Sequence, residues 1–186
     1  MIERGAQIMD SLAQIRFVSR RESGFALLGP HRLKELSLVG TASAGKLTIY
    51  DTDTAPVAAT YGQSGTTVTV AKVGHGLSTG DVVGICFASG TGGTATSGNY
   101  PITVTGADAF TITMINSVTI TADPACNYVA NSGSGQPNPK RWLMCKNISA
   151  SDVFANVYHI PNSGFATKLG TYFMMSNLSE ADVFYE

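Results

Sequence analysis

Charge is what this 186-residue chain has least of. Lys, Arg, Asp and Glu make up 13% of its residues, against roughly 25% in soluble domains generally. Twelve basic and 13 acidic residues leave a net charge of −1, so the chain as a whole makes no electrostatic case for nucleic acid. Long apolar runs are missing too. None approaches the ~20 residues that span a bilayer, and no membrane role is expected. The first 17 residues lack a signal-peptide layout, because Asp10 interrupts them. Cysteine is scarce: Cys86, Cys126 and Cys145 lie far apart, with no C-x-x-C pair. That speaks against a zinc or thioredoxin-like centre and for buried free thiols, with a Cys86–Cys126 bridge as the alternative.

What fills the gap is Gly, Thr, Ser, Ala and Val, the composition of many short strands joined by tight turns. Charge is also uneven. Residues 1–46 carry seven of the twelve bases, whereas residues 57–135 carry four charges in all, Lys72, Asp81, Asp108 and Asp123. A basic front precedes an almost uncharged middle.

Ile8, Leu12 and Ile15 recur at helical spacing, which predicts a short helix over 5–15 that is marginal alone. Residues 1–32 read as an arm that docks on something, either this chain's own β-domain or a neighbouring subunit. From Leu33 the period becomes two: Leu36 and Leu38 on one face, then Leu47 and Ile49, reading as a hairpin over 33–52. The middle offers about five strands, carrying Val68/Val70, Val83/Ile85/Phe87, Tyr100/Ile102/Val104, Phe110/Ile112/Met114 and Val118/Ile120. Residues 131–140 are the clearest linker, and four aromatic-rich strands follow. A hairpin alone is unstable, so joining it to those four strands predicts an all-β protein. Its outer domain, 33–56 plus 137–186, is a jelly-roll-like β-sandwich, and 57–136 is a small inserted β-domain.

Several stretches invite chemistry. His75-Gly-Leu-Ser78-Thr-Gly80-Asp81 holds the residue types of a triad within seven positions on one turn, a layout that rarely lets a relay form. The reading is a structural turn: Gly76 and Gly80 supply positive φ, Asp81 bonds nearby amides, and His75 packs across the loop. Nothing near Cys86 would lower its pKa. The Gly-rich stretch 88–100 lacks a P-loop's G-K-[ST] ending and reads as a long flexible hairpin tip. Asp51 and Asp53 on one turn are a weak match to a calcium loop. No catalytic, metal or cofactor residues are assigned. The basic cluster Arg16, Arg20, Arg21, Arg32 and Lys34 reads as a solvated or intersubunit surface, or as an attachment to an acidic partner.

Residues 68–114 resemble a β-module recurrent in tailed-bacteriophage virion proteins. The shared pattern is a strand, H-G-L-x-x-G-D-x-V, a Gly/Thr-rich loop, G-N-Y-x-I-x-V and D-A-F-T-I-T. The flanks, with LKELSLVGTASAGKLTIYDTDTA, RWLMCKN and GTYFMMSN…ADVFYE, are similar to short phage structural proteins. The resemblance implies a non-enzymatic virion structural protein, assembled in the host cytoplasm and foremost a capsid decoration or cement protein. A tail, neck, baseplate or fibre component is the alternative, and a carbohydrate-binding adhesion module on host glycan a second one. The implied partners are the major capsid protein, other virion proteins and further copies in a homo-oligomer. Ile8, Leu12, Ile15, Phe17, Phe25 and Leu27 would bury apolar area on the partner, and Arg16, Arg20 and Arg21 would pair with its acids.

Overall fold

A computed structural model describes residues 16–131, 140–150, 155–160 and 165–185, with the side chains of 16–17 and 155–159 left aside. The helix expected over 5–15, with Ile8, Leu12 and Ile15, lies outside the described residues, as does most of the 131–140 linker.

The described chain is all β. In order the strands are β1 (Arg16–Arg20), β2 (Gly24–Leu28), β3 (Arg32–Gly40), β4 (Gly45–Asp51), β5 (Val57–Ser64), β6 (Thr67–Ala71), β7 (Val82–Phe87), β8 (Gly98–Pro101), β9 (Thr103–Gly106), β10 (Ala109–Thr113), β11 (Ala125–Asn131), β12 (Arg141–Ile148), β13 (Ala155–His159), β14 (Phe165–Ala166), β15 (Gly170–Ser176) and β16 (Leu178–Tyr185). They fall into two compact units. One comprises Met1–Leu47 with Lys146–Glu186, the other Thr48–Cys145. The divisions fall inside β4 and β12, several residues away from Ala55-Pro56 and the linker.

In the discontinuous unit, one sheet runs β1-β16-β3-β13, with β14 also on β3. Leu33, Leu36 and Leu38 of β3 and Ala181 and Val183 of β16 are buried, the alternation that a half-covered sheet imposes. A second sheet runs β12-β4-β15-β2. The hairpin expected over 33–52 is therefore absent: β3 and β4 belong to different sheets. β3 pairs instead with β16, from Leu33↔Tyr185 to Gly40↔Leu178. Only a central β3, flanked on both sides, satisfies its backbone groups on both edges.

The expected arm is also partly sheet. β1 pairs with β16, Arg16 opposite Tyr185 and Arg20 opposite Ala181. β2 pairs with β15, Leu27 opposite Thr171 and Phe25 opposite Tyr172. Residues 16–28 thus dock on this chain's own strands. Their mixed pattern hid this, because short strands at sheet margins bury few side chains.

The second unit is built on a seven-stranded sheet, order β8-β7-β11-β5-β6-β10-β9. Its outermost strands, β8 and β9, are consecutive in the chain and separated by Ile102 alone. The sheet must therefore curl until its two edges meet at that residue. Curling puts one face inside, where Tyr61, Val68, Val70, Val83, Ile85, Phe87, Phe110, Ile112 and Tyr128 form the core. Burying such side chains yields about 1.5–3 kcal/mol each. The expected strand carrying Tyr100, Ile102 and Val104 is thus two strands, broken at Ile102. Two strands, β5 and β11, went unforeseen, and the expected Val118/Ile120 strand is a pair of isolated bridges, Gln63↔Ile120 and Thr91↔Thr121.

Candidate functional site

The His75–Asp81 segment lies along the free edge of β9. The His75 Nε2–H donates to the Gly106 carbonyl at 3.1 Å, while Nδ1 accepts the Leu77 amide at 3.0 Å. The amide fixes the tautomer, since a nitrogen facing an N–H must carry the lone pair. Thr79 Oγ1 accepts the Val104 amide at 2.9 Å. The Gly80 amide donates to the Ile102 carbonyl at 2.9 Å, and the Ile102 amide donates to the Asp81 carbonyl at 3.0 Å. Asp81 Oδ2 in turn accepts the Ser78 amide at 2.8 Å. The segment thus occupies the position of a missing strand between β9 and β7, partly through side chains. An open edge would be a template for aggregation; here it is capped.

Gly76 and Gly80 stand at φ +66° and +96°, as the turn requires. Gly74, at φ +60°, donates its amide to Asp108 Oδ1 at 2.8 Å. The His75 ring packs edge-on against Phe110, centroids 5.5 Å apart. With Nδ1 holding an amide and Nε2 donating, neither nitrogen offers a lone pair to a nucleophile. A cavity of about 370 Å³ beside His75 is lined by Gly74, Gly76, Leu77, Val104, Gly106 and Ala107, none of which carries a hydroxyl or thiol.

The Gly-rich stretch 88–100 is not the flexible tip expected. Tyr61 Oη donates to the Ala88 carbonyl at 2.6 Å and accepts the Ala95 amide at 3.4 Å. Ser97 Oγ accepts the Phe87 amide at 3.0 Å. The glycines permit close approach to 119–124: a Cβ at Gly92 would sit 2.1 Å from the Thr119 carbonyl oxygen, and one at Gly90 2.5 Å from Pro124 Cγ. The loop is a buttress.

Over the outer face of β7 and β11 pass Thr48–Asp51 and the start of β12. Tyr50 Oη donates to the Asn127 carbonyl at 2.9 Å. Two asparagines clamp β12. Asn99 accepts the Trp142 amide at 2.8 Å and donates to its carbonyl at 2.9 Å, and Asn131 does the same for Lys140. Gly84 makes room, because a Cβ there would lie 2.2 Å from the Trp142 nitrogen.

Tyr50 is buried, and its environment includes the three thiols, which are distant in sequence. Burial first, then these thiols, push that hydroxyl far above its usual range. Burial pushes Cys126 up to about 12, with Cys86 adding to the effect. Cys86 is directly opposite Asn127, and Cys126 opposite Phe87. The two side chains therefore leave opposite faces of the sheet, which rules out the alternative bridge without backbone movement. None of the three cysteines forms a disulfide.

Asp51 and Asp53, the weak calcium match, each meet a cation: Arg141 Nε lies 3.3 Å from Asp51 Oδ2, and Lys140 Nζ 2.9 Å from Asp53 Oδ1. Among the described residues no cluster of His, Cys, Asp and Glu could hold a metal, and no helix is long and apolar enough to cross a membrane.

Of the arm residues, Leu27 is buried in its own unit, and Phe25 packs edge-on with Tyr172 at 5.0 Å. Arg20 is half-buried, its Nη2 2.3 Å from where a Cβ at Gly24 would be. Arg21 is exposed. Arg16 and Phe17 lie on β1. The sequence reading missed Gly84, Asn99 and Asn131, and took Ile102 for an ordinary strand residue. The one signal for Gly84 was a glycine inside an apolar strand.

Fold and site together define an all-β protein whose most chemically suggestive segment caps a curled sheet. No family model matches the chain, and no curated protein does.

Proposed function

We propose that this chain is a non-enzymatic structural protein of a tailed-phage virion, a decoration or cement protein of the head. The observation that carries the reading is the use of the H-G-L-x-x-G-D segment. Its His75, Thr79 and Asp81 side chains are engaged with backbone at the seam of a β-module, as a scaffold needs. The low charge of that module and the resemblance of the pattern in 68–114 to phage virion β-modules support it further. In the finer fold that goes with this reading, the discontinuous unit is a jelly-roll-like sandwich and 5–15 is a short helix. Residues 1–15, with Ile8, Leu12 and Ile15, dock on the major capsid protein, and the chain acts as a homo-oligomer within the virion.

The test is removal of residues 1–15 alone, since 16–28 are strands of the body. The truncated chain is expected to fold, judged by its melting curve, and to lose co-sedimentation with native capsids. Full retention would refute docking through this segment. Copy number in purified particles separates the sites: hundreds indicate the head, and small multiples of three the tail or neck.

A further inference from the structure

The outer face of β5, β6, β10 and β9 carries a regular array of hydroxyls. Gly62, Thr69, Thr111 and Thr103 stand side by side across four strands. Ser64, Thr67 and Thr113 form the next row. Rows of this kind repeat about every 4.8 Å across strands and about 6.7 Å along them. The array is written in the sequence as Thr67-Val-Thr69, Thr103-Val-Thr105 and Thr111-Ile-Thr113, with Thr119-Ile-Thr121 beside them. Solvent-facing strands ordinarily carry charged residues that suppress association. These two rows carry none.

A cleft of about 430 Å³ borders the array, between Gly62, Ser64 and Thr69 on one side and Thr119, Thr121 and Asp123 on the other. Gly90 and Gly92 of the buttress loop pack closely against the 119–124 segment that forms this wall. Ala122 and Asp123 both stand at positive φ, +70° and +44°, a conformation non-glycine residues adopt at an energetic penalty. Asp123, exposed on this turn, lines the cleft.

Each partner class makes its own demand. Nucleic acid requires basic groups, and the array and cleft offer none. A protein partner would favour aromatic, Met or Arg side chains at the centre, and neither row has one. Hydroxyls and methyls with a single carboxylate match an uncharged ligand rich in hydroxyls, since a carboxylate accepts from two of them at once. The geometry points to a binding face for neutral polysaccharide, with one sugar unit seated in the Asp123 cleft and the following units along the threonine rows. This inference stands apart from the virion reading and survives its failure.

The test uses the full chain and ¹⁵N amide shifts, with maltose, maltohexaose and mannohexaose as neutral probes and a hyaluronan hexasaccharide as the acidic one. A neutral hexasaccharide is expected to shift the amides of Thr69, Thr111, Thr121 and Asp123, and to bind at least roughly tenfold more tightly than the disaccharide, as additive weak contacts require. Thr69→Lys and Asp123→Asn, with unchanged melting curves, should each weaken binding. Ile115→Lys, on a fully exposed loop position outside the array, should not. The proposal is overturned if neither neutral hexasaccharide shifts those amides, if the acidic one binds equally well, or if Thr69→Lys binds as the parent does.

Discussion

The amide of Ile102 donates to the carbonyl of Asp81 at 3.0 Å, and that bond carries the β7–β8 pairing one residue further, to the point where the two edge strands of a seven-stranded sheet meet. Ile102 is the only residue between the first and last strands of the sheet order. The turn that meets it is held in shape by the Asp81 side chain on the Ser78 amide. Asp81→Ala leaves the amide of the exposed Ser78 without its protein acceptor and loosens the turn. Urea denaturation is expected to show a loss of about 0.5–1.5 kcal/mol.

His75 acts through both ring nitrogens, so no single-ended replacement serves. His75→Phe keeps the packing on Phe110 but strands the Leu77 amide and the Gly106 carbonyl. The expected loss is roughly 1–3 kcal/mol, read from the same denaturation curve. A variant as stable as the parent would show that the bracket contributes nothing.

Gly84→Ala sets a methyl against backbone, 2.2 Å from the Trp142 nitrogen. Backbone cannot swing aside as a side-chain tip would. The strand crossing must separate, at about 1–3 kcal/mol. Trp142 is the only tryptophan in the chain, so its fluorescence should report the displacement directly.

Asn131→Ala removes both bonds that hold Lys140, to its amide and to its carbonyl at 2.7 Å. Hydrogen exchange at the start of β12 should accelerate at least roughly tenfold, as the loss of one or two net hydrogen bonds implies.

Alkaline pH should unfold the second unit early. Cys126 starts from an ordinary value of 9.0 and rises to about 12 when folded. Its neutral form is favoured by folding, so that stability is complete below pH 9 and is lost as pH climbs towards 12. Tyr50, shifted in the same direction, adds to the decline at higher pH. The urea midpoint is expected to fall across this window, and less steeply in Cys126→Ala. A flat profile in the parent would contradict the burial of these groups.

The all-β class and most strands of the core were legible, because alternation at Val68/Val70, Val83/Ile85/Phe87 and Phe110/Ile112 reports one buried face. Sheet membership was not. Leu36/Leu38 and Leu47/Ile49 look like the two arms of a hairpin, yet β3 and β4 lie in separate sheets. The β5 stretch V-A-A-T-Y-G-Q-S buries only Tyr61 and Gln63, so the apolar signal is thin. Ile102 continues the alternation of Tyr100 and Val104 without interruption, so nothing local marks it as a break.

From the residues alone follow the turn glycines, the period-two faces and the scarcity of charge, since these depend on φ preferences and nearest neighbours. Tertiary structure alone decides that the strand holding Tyr100 and Val104 splits at Ile102, that Tyr50 is buried with its hydroxyl on the Asn127 carbonyl, and that the threonines form rows. The reason is physical: curling a sheet and pairing strands across 100 residues are long-range choices, and no local propensity encodes which distant edge a strand will meet.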